Sequence, residues 1–114
     1  MASHIKIRPA TGTWSVRAGG AVLGESSNAL ELVEGDMAPV IYFPREDIAM
    51  AFLDQTDSSS HCPHKGDASY FSVVTKSRTL ENAVWSYEDP KEAAAQIKGH
   101  LAFYGMEEIT VERI

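Results

Sequence analysis

The sequence predicts a single α+β domain, mainly β, with a strongly bent or barrel-like antiparallel sheet and two short helices. Three observations carry this. Short extended runs separated by turn residues recur along the whole chain. One of them, PVIYF at Pro39 to Phe43, is apolar on both faces, the pattern of a central or doubly covered strand. Only two stretches carry paired helix-start and helix-stop signals. The 114 residues make one domain, residues 1–114, with no repeat, linker or low-complexity tract. A chain of this size buries roughly two-thirds of its unfolded surface, enough for a core without staples.

Taken in order, TWSV and AVLG flank Ala18-Gly19-Gly20. Glycine enters positive φ without steric penalty, so this reads as a hairpin. Trp14 and Val16 share a face by period-two alternation. ALELVEG and PVIYF follow as strands. PREDIAMAFLD is the first predicted helix, with Pro44 at its start, Glu46 and Asp47 in its first turn, and Ile48, Ala51 and Phe52 along one face. TDSSSH, Thr56 to His61, is polar enough for a mobile loop. ASYFSVV and NAVWSYE are strands, the second placing Ala83, Trp85 and Tyr87 on one side as core. DPKEAAAQIKG is the second predicted helix: Asp89 caps, Pro90 takes the first position, Glu92 completes a capping box and Gly99 closes the end. LAFYG and EITVERI complete the strands.

Ten Lys and Arg against sixteen Asp and Glu leave a formal charge of −6. Phosphate backbones are held by clustered cations, and the basic residues here are scattered, so no nucleic-acid partner is expected. The single cysteine cannot form an internal disulfide. No run resembles a signal peptide or approaches membrane-spanning length, so no membrane partner is expected. The location expected from these features is the cytoplasm.

The chemistry concentrates in SHCPHKGDASYF, where Cys62 lies beside His61, His64 and Lys65. A purely structural reading accounts for part of it. Pro63 pushes Cys62 toward extended backbone, and Gly66 supplies a conformation closed to other residues, which together make a sharp reversal. A catalytic reading makes Cys62 a nucleophile, since nearby positive charge favours the thiolate. His61 or His64 would then move protons and Lys65 would hold negative charge, with the amides of residues 64–66 forming an anion nest. Asp67 and Glu34 are the acids available to orient the base. A third reading is a non-catalytic pocket for a small anionic ligand. In it Arg45, Lys65 and Gly66 meet the charge, and Tyr42, Tyr70 and Trp85 form the walls. No metal and no cofactor are expected: a structural zinc site generally needs four protein ligands, and His61 and Cys62, being adjacent, point apart on extended chain. His4 and His100 receive no role. Ser26 and Ser27 lack the glycines of a nucleophile elbow and read as turn hydroxyls.

The order of motifs resembles a family of small proteins known as domain of unknown function 427. The likeness runs through the V-x-x-G-G hairpin at Val16 to Gly20, then GESSNALELVEG and PVIYFPREDI. It continues through HCPHKGDASYF, NAVWSYEDP and IKGHLAFYG, with CP-x-KG-x-A-x-Y and WSYE-x-P its most specific parts. The resemblance implies a compact, mostly β, tent-like fold similar to zinc-ribbon-derived domains. Those relatives hold zinc with two cysteine pairs, and one cysteine does not carry the metal over. The family also bears a nucleotidyltransferase label. That chemistry needs acidic residues holding divalent metal, and Asp54, Asp57 and Asp67 are too loosely placed to supply it.

Overall fold

The computed structural model describes residues 4–114. Among the described residues ten strands run in chain order: β1 Ile5–Pro9, β2 Trp14–Ala18, β3 Ala21–Ser26, β4 Leu30–Glu34, β5 Val40–Tyr42, β6 Leu53–Cys62, β7 Gly66–Val74, β8 Thr79–Ser86, β9 Ala102–Phe103 and β10 Ile109–Arg113. They form three antiparallel sheets, ordered β1-β4-β5, β10-β2-β3 and β6-β7-β8-β9. The mainly β expectation therefore holds, but the described residues form no closed barrel. No described helix is long and apolar enough to cross a membrane.

The glycine hairpin forms as expected: Ala18 faces Ala21 across a two-residue turn, with Gly19 at φ +59°. PVIYF is covered on both edges. β5 pairs with β4, and beyond it Phe43 and Leu101 exchange backbone hydrogen bonds of 2.8 and 2.9 Å. This exchange ties the first sheet to the β9 side of the third.

Neither predicted α-helix forms. PREDIAMAFLD makes two single 3-10 turns, Arg45–Asp47 and Met50–Phe52. Between them the Ala49 amide donates to the Leu23 carbonyl at 2.7 Å and Ile48 bridges Gly24. The Ala49 amide that a helix would need is spent on β3. DPKEAAAQIKG makes a longer 3-10 segment, Glu92–Ile97, with no side-chain cap from Asp89. A kink at Ala94, with φ −120° and ψ 21°, divides it, and Ala94 and Ile97 are its buried residues. Gly99 does close it, at φ +73° with its amide on the Tyr87 carbonyl at 3.0 Å.

TDSSSH is strand rather than loop. It lies in β6, where a bulge between Gln55 and Ser59 accommodates the extra residues against β7. Thr56 Oγ1 donates to Asn82 Oδ1 at 2.7 Å, and Asn82, at φ +52°, sits in the matching irregularity of β8. The two bulges are thus fastened to each other.

Two hydrophobic clusters fill the interior. The larger includes Val16, Leu23, Phe43, Val73, Val84 and Leu101, all fully buried. The smaller lies between the first and third sheets and contains Leu32, Tyr42, Ala68, Tyr87, Ala94, Ile97 and Ala102. Trp85, Tyr70 and Cys62 are partly buried against it. Ala83 joins the larger cluster, so the stripe read as one core row is divided between the two.

Candidate functional site

The β6–β7 reversal is built as its sequence suggests. Cys62 and Gly66 are the last cross-strand pair, the Lys65 amide donates to the Cys62 carbonyl at 3.2 Å, and Gly66 stands at φ +109°. The segment after β8 straps the turn down: the Lys91 amide donates to the Lys65 carbonyl at 2.9 Å and Lys91 Nζ to the Pro63 carbonyl at 2.8 Å. The Lys65 amide, one of the three read as an anion nest, is committed to Cys62.

Strand alternation then separates the reactive side chains. Cys62 turns inward onto the smaller cluster. His61 turns outward and its Nδ1 lies 2.7 Å from Asp67 Oδ1, its own cross-strand partner. Both side chains of that pair are mostly exposed, so the contact is a surface pair rather than an oriented base. His64 is exposed on the turn, its ring centroid 5.4 Å from that of His4.

Lys65 goes the other way. Its ammonium is 2.6 Å from Glu34 Oε1, with side chains only 12% and 19% exposed, and it lies over the Tyr87 ring at 5.9 Å. Burial works against the Lys65 charge, but the hydrogen bond to Glu34, with Cys62 and Tyr87 as neighbours, outweighs it, so its pKa is raised. The same hydrogen bond from Lys65 lowers the Glu34 pKa against the opposing effect of burial. The pair is ionised and mutually satisfied.

Above it lies a hollow of about 200 Å³. Leu32 and Glu34 enter from β4, Val40 and Tyr42 from β5, Tyr70 from β7 and Trp85 from β8, with Tyr87 and Tyr104 from the connections that follow. Tyr70 and Trp85 are cross-strand partners, and Ala102 is the next partner in that row. Trp85 Nε1 donates to the Tyr42 hydroxyl at 3.1 Å, with the two rings edge to face. On its other side Trp85 packs on Tyr104, centroids 4.5 Å apart. Burial raises the Tyr42 pKa and pushes Tyr87 to about 12. A hydrogen bond with Tyr70, together with burial, pushes Tyr104 to about 12. These three phenols stay protonated far above neutral pH.

Of the residues expected to bind, the structure brings Tyr42, Lys65, Tyr70 and Trp85 together on this hollow. Arg45 is elsewhere: Nη2 meets Glu88 Oε2 at 2.8 Å and Ser86 Oγ at 3.4 Å, Nε donates to the Gly99 carbonyl at 3.1 Å, and the guanidinium lies over Phe71. Gly66 is buried beneath, against residues 89–91. Cys62, His61 and His64 are not on the wall of the hollow. Sequence reasoning missed Tyr87 and Tyr104 as walls and Glu34 as the partner of Lys65. The period-two spacing of Leu32 and Glu34, and of Trp85 and Tyr87, is the signal that could have found two of the three. Ser26 is a turn hydroxyl as expected, donating to Asp47 Oδ2 at 2.7 Å and accepting the Asn28 amide. His100 caps no site, its Nδ1 lying 3.2 Å from the Lys98 carbonyl.

A family model described as a domain of unknown function, DUF427, and labelled NTP_transf_9 matches residues 6–113. The chain belongs to the DUF427 family. A search of curated proteins finds no match. Within this DUF427 chain Asp54, Asp57 and Asp67, the acids a nucleotidyltransferase would need, join no three-ligand cluster among the described residues. Zinc held by two cysteine pairs does not fit either, because Cys62 is the sole cysteine.

Proposed function

We propose that this protein binds a small, flat, partly aromatic molecule in the hollow above the Lys65–Glu34 pair, without catalysis. The observation that carries this is the convergence of Tyr42, Tyr70, Trp85, Tyr87 and Tyr104 on one cavity of about 200 Å³. Pockets for drug-sized ligands run to roughly 300–1,000 Å³, so the volume suits a single ring system with a short polar substituent. Trp85 and Tyr104 offer ring faces and edges, and the protonated phenols offer hydroxyl donors.

The charge of the ligand follows from the floor. Lys65 is already neutralised by Glu34, and Arg45, the second cation expected to attract an anion, faces Glu88 instead. An acidic ligand would have to displace Glu34 from Lys65. A group presenting a donor and an acceptor side by side, such as a carboxamide, meets both partners without breaking the pair. The reading therefore moves from an anionic metabolite to an uncharged or zwitterionic one. A wider groove of about 770 Å³ lies at the Gly19-Gly20 hairpin. It gathers only Phe52 among aromatic residues, and its Arg78 and Glu108 are paired with each other. A cytoplasmic location and a tent-like arrangement of the sheets belong to the same reading.

Benzamide and benzoate serve as probes. Benzamide is expected to shift the Trp85 indole N–H resonance in a saturable way and benzoate to do so at least about fivefold more weakly. Tyr104→Ala, a change at a residue 43% exposed, is expected to weaken benzamide about tenfold with an unchanged melting temperature, about 1.4 kcal/mol of lost contact. Arg45→Gln is expected to leave benzamide affinity intact. Tighter binding of benzoate than benzamide, lost in Arg45→Gln, would restore the anion site.

One specific observation favours a second reading. Cys62 and Lys65 share one tight turn, the Lys65 amide donating to the Cys62 carbonyl at 3.2 Å, and a cation beside a thiol is the arrangement that makes cysteine reactive. On that reading Cys62 alkylates with iodoacetamide near neutral pH much faster than a model thiol, and Lys65→Met removes the excess rate. Alkylation at the rate of an ordinary half-buried thiol removes this reading and leaves the pocket untouched.

A further inference from the structure

We propose that His4, His64 and Glu34 form a binding site for one divalent transition-metal ion, with zinc as the probe. Each offers one ligand atom, and the three atoms lie within 4.8 Å of one another. Ligands bound at about 2.0–2.2 Å around tetrahedral zinc stand roughly 3.3 Å apart. Closing the set therefore takes a shift of about an ångström from two histidine side chains on the exposed surface.

The three come from distant parts of the chain, and the fold fixes their backbones. The His4 carbonyl accepts the Gly35 amide at 3.1 Å, which holds it beside the end of β4. Glu34 is the cross-strand partner of Ile5, the residue after His4. His64 is presented by the turn that Pro63 and Gly66 shape and Lys91 straps. The two imidazole ring centroids stand 5.4 Å apart, tilted at 59° rather than stacked. Glu34 has two oxygens. Lys65 holds Oε1, so Oε2 is the one an ion would take.

The donor set selects the metal. Two neutral imidazoles and one carboxylate suit zinc and its neighbours in the transition series, while magnesium and calcium require mostly oxygen. The carboxylate shares its charge with Lys65, which weakens its hold on any cation. The site shares Glu34 with the pocket, but neither histidine lines the hollow.

The test is a zinc titration of the intact chain in a non-chelating buffer, followed by calorimetry and by histidine ring resonances. One zinc per chain is expected, with the His4 and His64 rings shifting and those of His61 and His100 unmoved. His4→Ala and His64→Ala are each expected to weaken binding at least tenfold. Both positions are exposed, and unchanged melting temperatures check the fold. The signature that an accidental surface histidine pair would not give is opposite effects at the charged pair. Glu34→Gln weakens zinc severalfold, whereas Lys65→Met strengthens it severalfold by releasing the carboxylate. The histidine variants carry the test if either of those changes fails to fold. Stoichiometric binding unchanged in both histidine variants, or no saturable binding below 1 mM zinc, about −4 kcal/mol, would overturn the site.

Discussion

Lys65→Met will lower stability by about 3 kcal/mol, the order expected when one partner of a mostly buried ion pair is removed and the other charge stays behind. The cost comes from Glu34 more than from Lys65. With its side chain 19% exposed, the carboxylate is left largely without the water it would need, and it must either ionise unpaired or bind a proton. Tyr87 also loses the cation over its ring. Glu34→Leu in the Lys65→Met background removes the stranded charge, and an apolar pair of similar volume is often neutral or better. The double variant is therefore expected to recover most of the loss. Urea unfolding of the wild type, both single variants and the double variant gives the coupling directly. Additive losses, or a single-variant cost under about 0.5 kcal/mol, the level of an exposed pair, would show that the floor of the hollow is open to water.

Gly24→Ala will be comparably damaging, for a reason of space. A Cβ at Gly24 would fall 2.4 Å from the Asp47 carbonyl oxygen and 2.6 Å from Ile48 Cδ1. The first is backbone and cannot step aside. The contact is the place where β3 meets the Arg45–Asp47 turn, and the Ser26–Asp47 hydrogen bond and the Ala49–Leu23 backbone bond lie on either side of it. Overpacking of this kind costs about 1–3 kcal/mol, and losing these two hydrogen bonds adds about 1 kcal/mol each. Gly20→Ala, in a turn where a Cβ meets nothing within 4 Å, is the control and should change stability little. Thermal or urea unfolding of the two variants separates a packing requirement from mere glycine flexibility.

These two sites show what could be read from the chain and what could not. The hairpin at Gly19 and the reversal at Gly66 were legible, because a positive φ is written locally in glycine. The helices were not. Their caps and spacing are local signals, but the Ala49 amide answers to Leu23, remote in sequence. Tertiary hydrogen bonds overrode propensity. The polar run at Thr56 to His61 was misread because its bulge is matched by one on β8, a pairing no single stretch reveals. At the site, Tyr42, Lys65, Tyr70 and Trp85 were legible as lysine and aromatics in strand spacing. Which cation is neutralised was not, since that depends on Glu34 lying across from one and Glu88 across from the other. His4 had no local mark at all. The pairing of β1 with β4 sets it beside Glu34, and the β6–β7 turn brings His64 to it.

Fragment mapping on the labelled protein tests the central claim most directly. Small neutral aromatic amides are expected to shift resonances of Tyr42, Tyr70, Trp85 and Tyr104 together, leaving the Gly19-Gly20 groove unmoved. Fragments that gather instead around Phe52, Lys76 and Leu80 in that groove, with the Trp85 indole signal unchanged, would contradict the assignment of the aromatic hollow as the binding site.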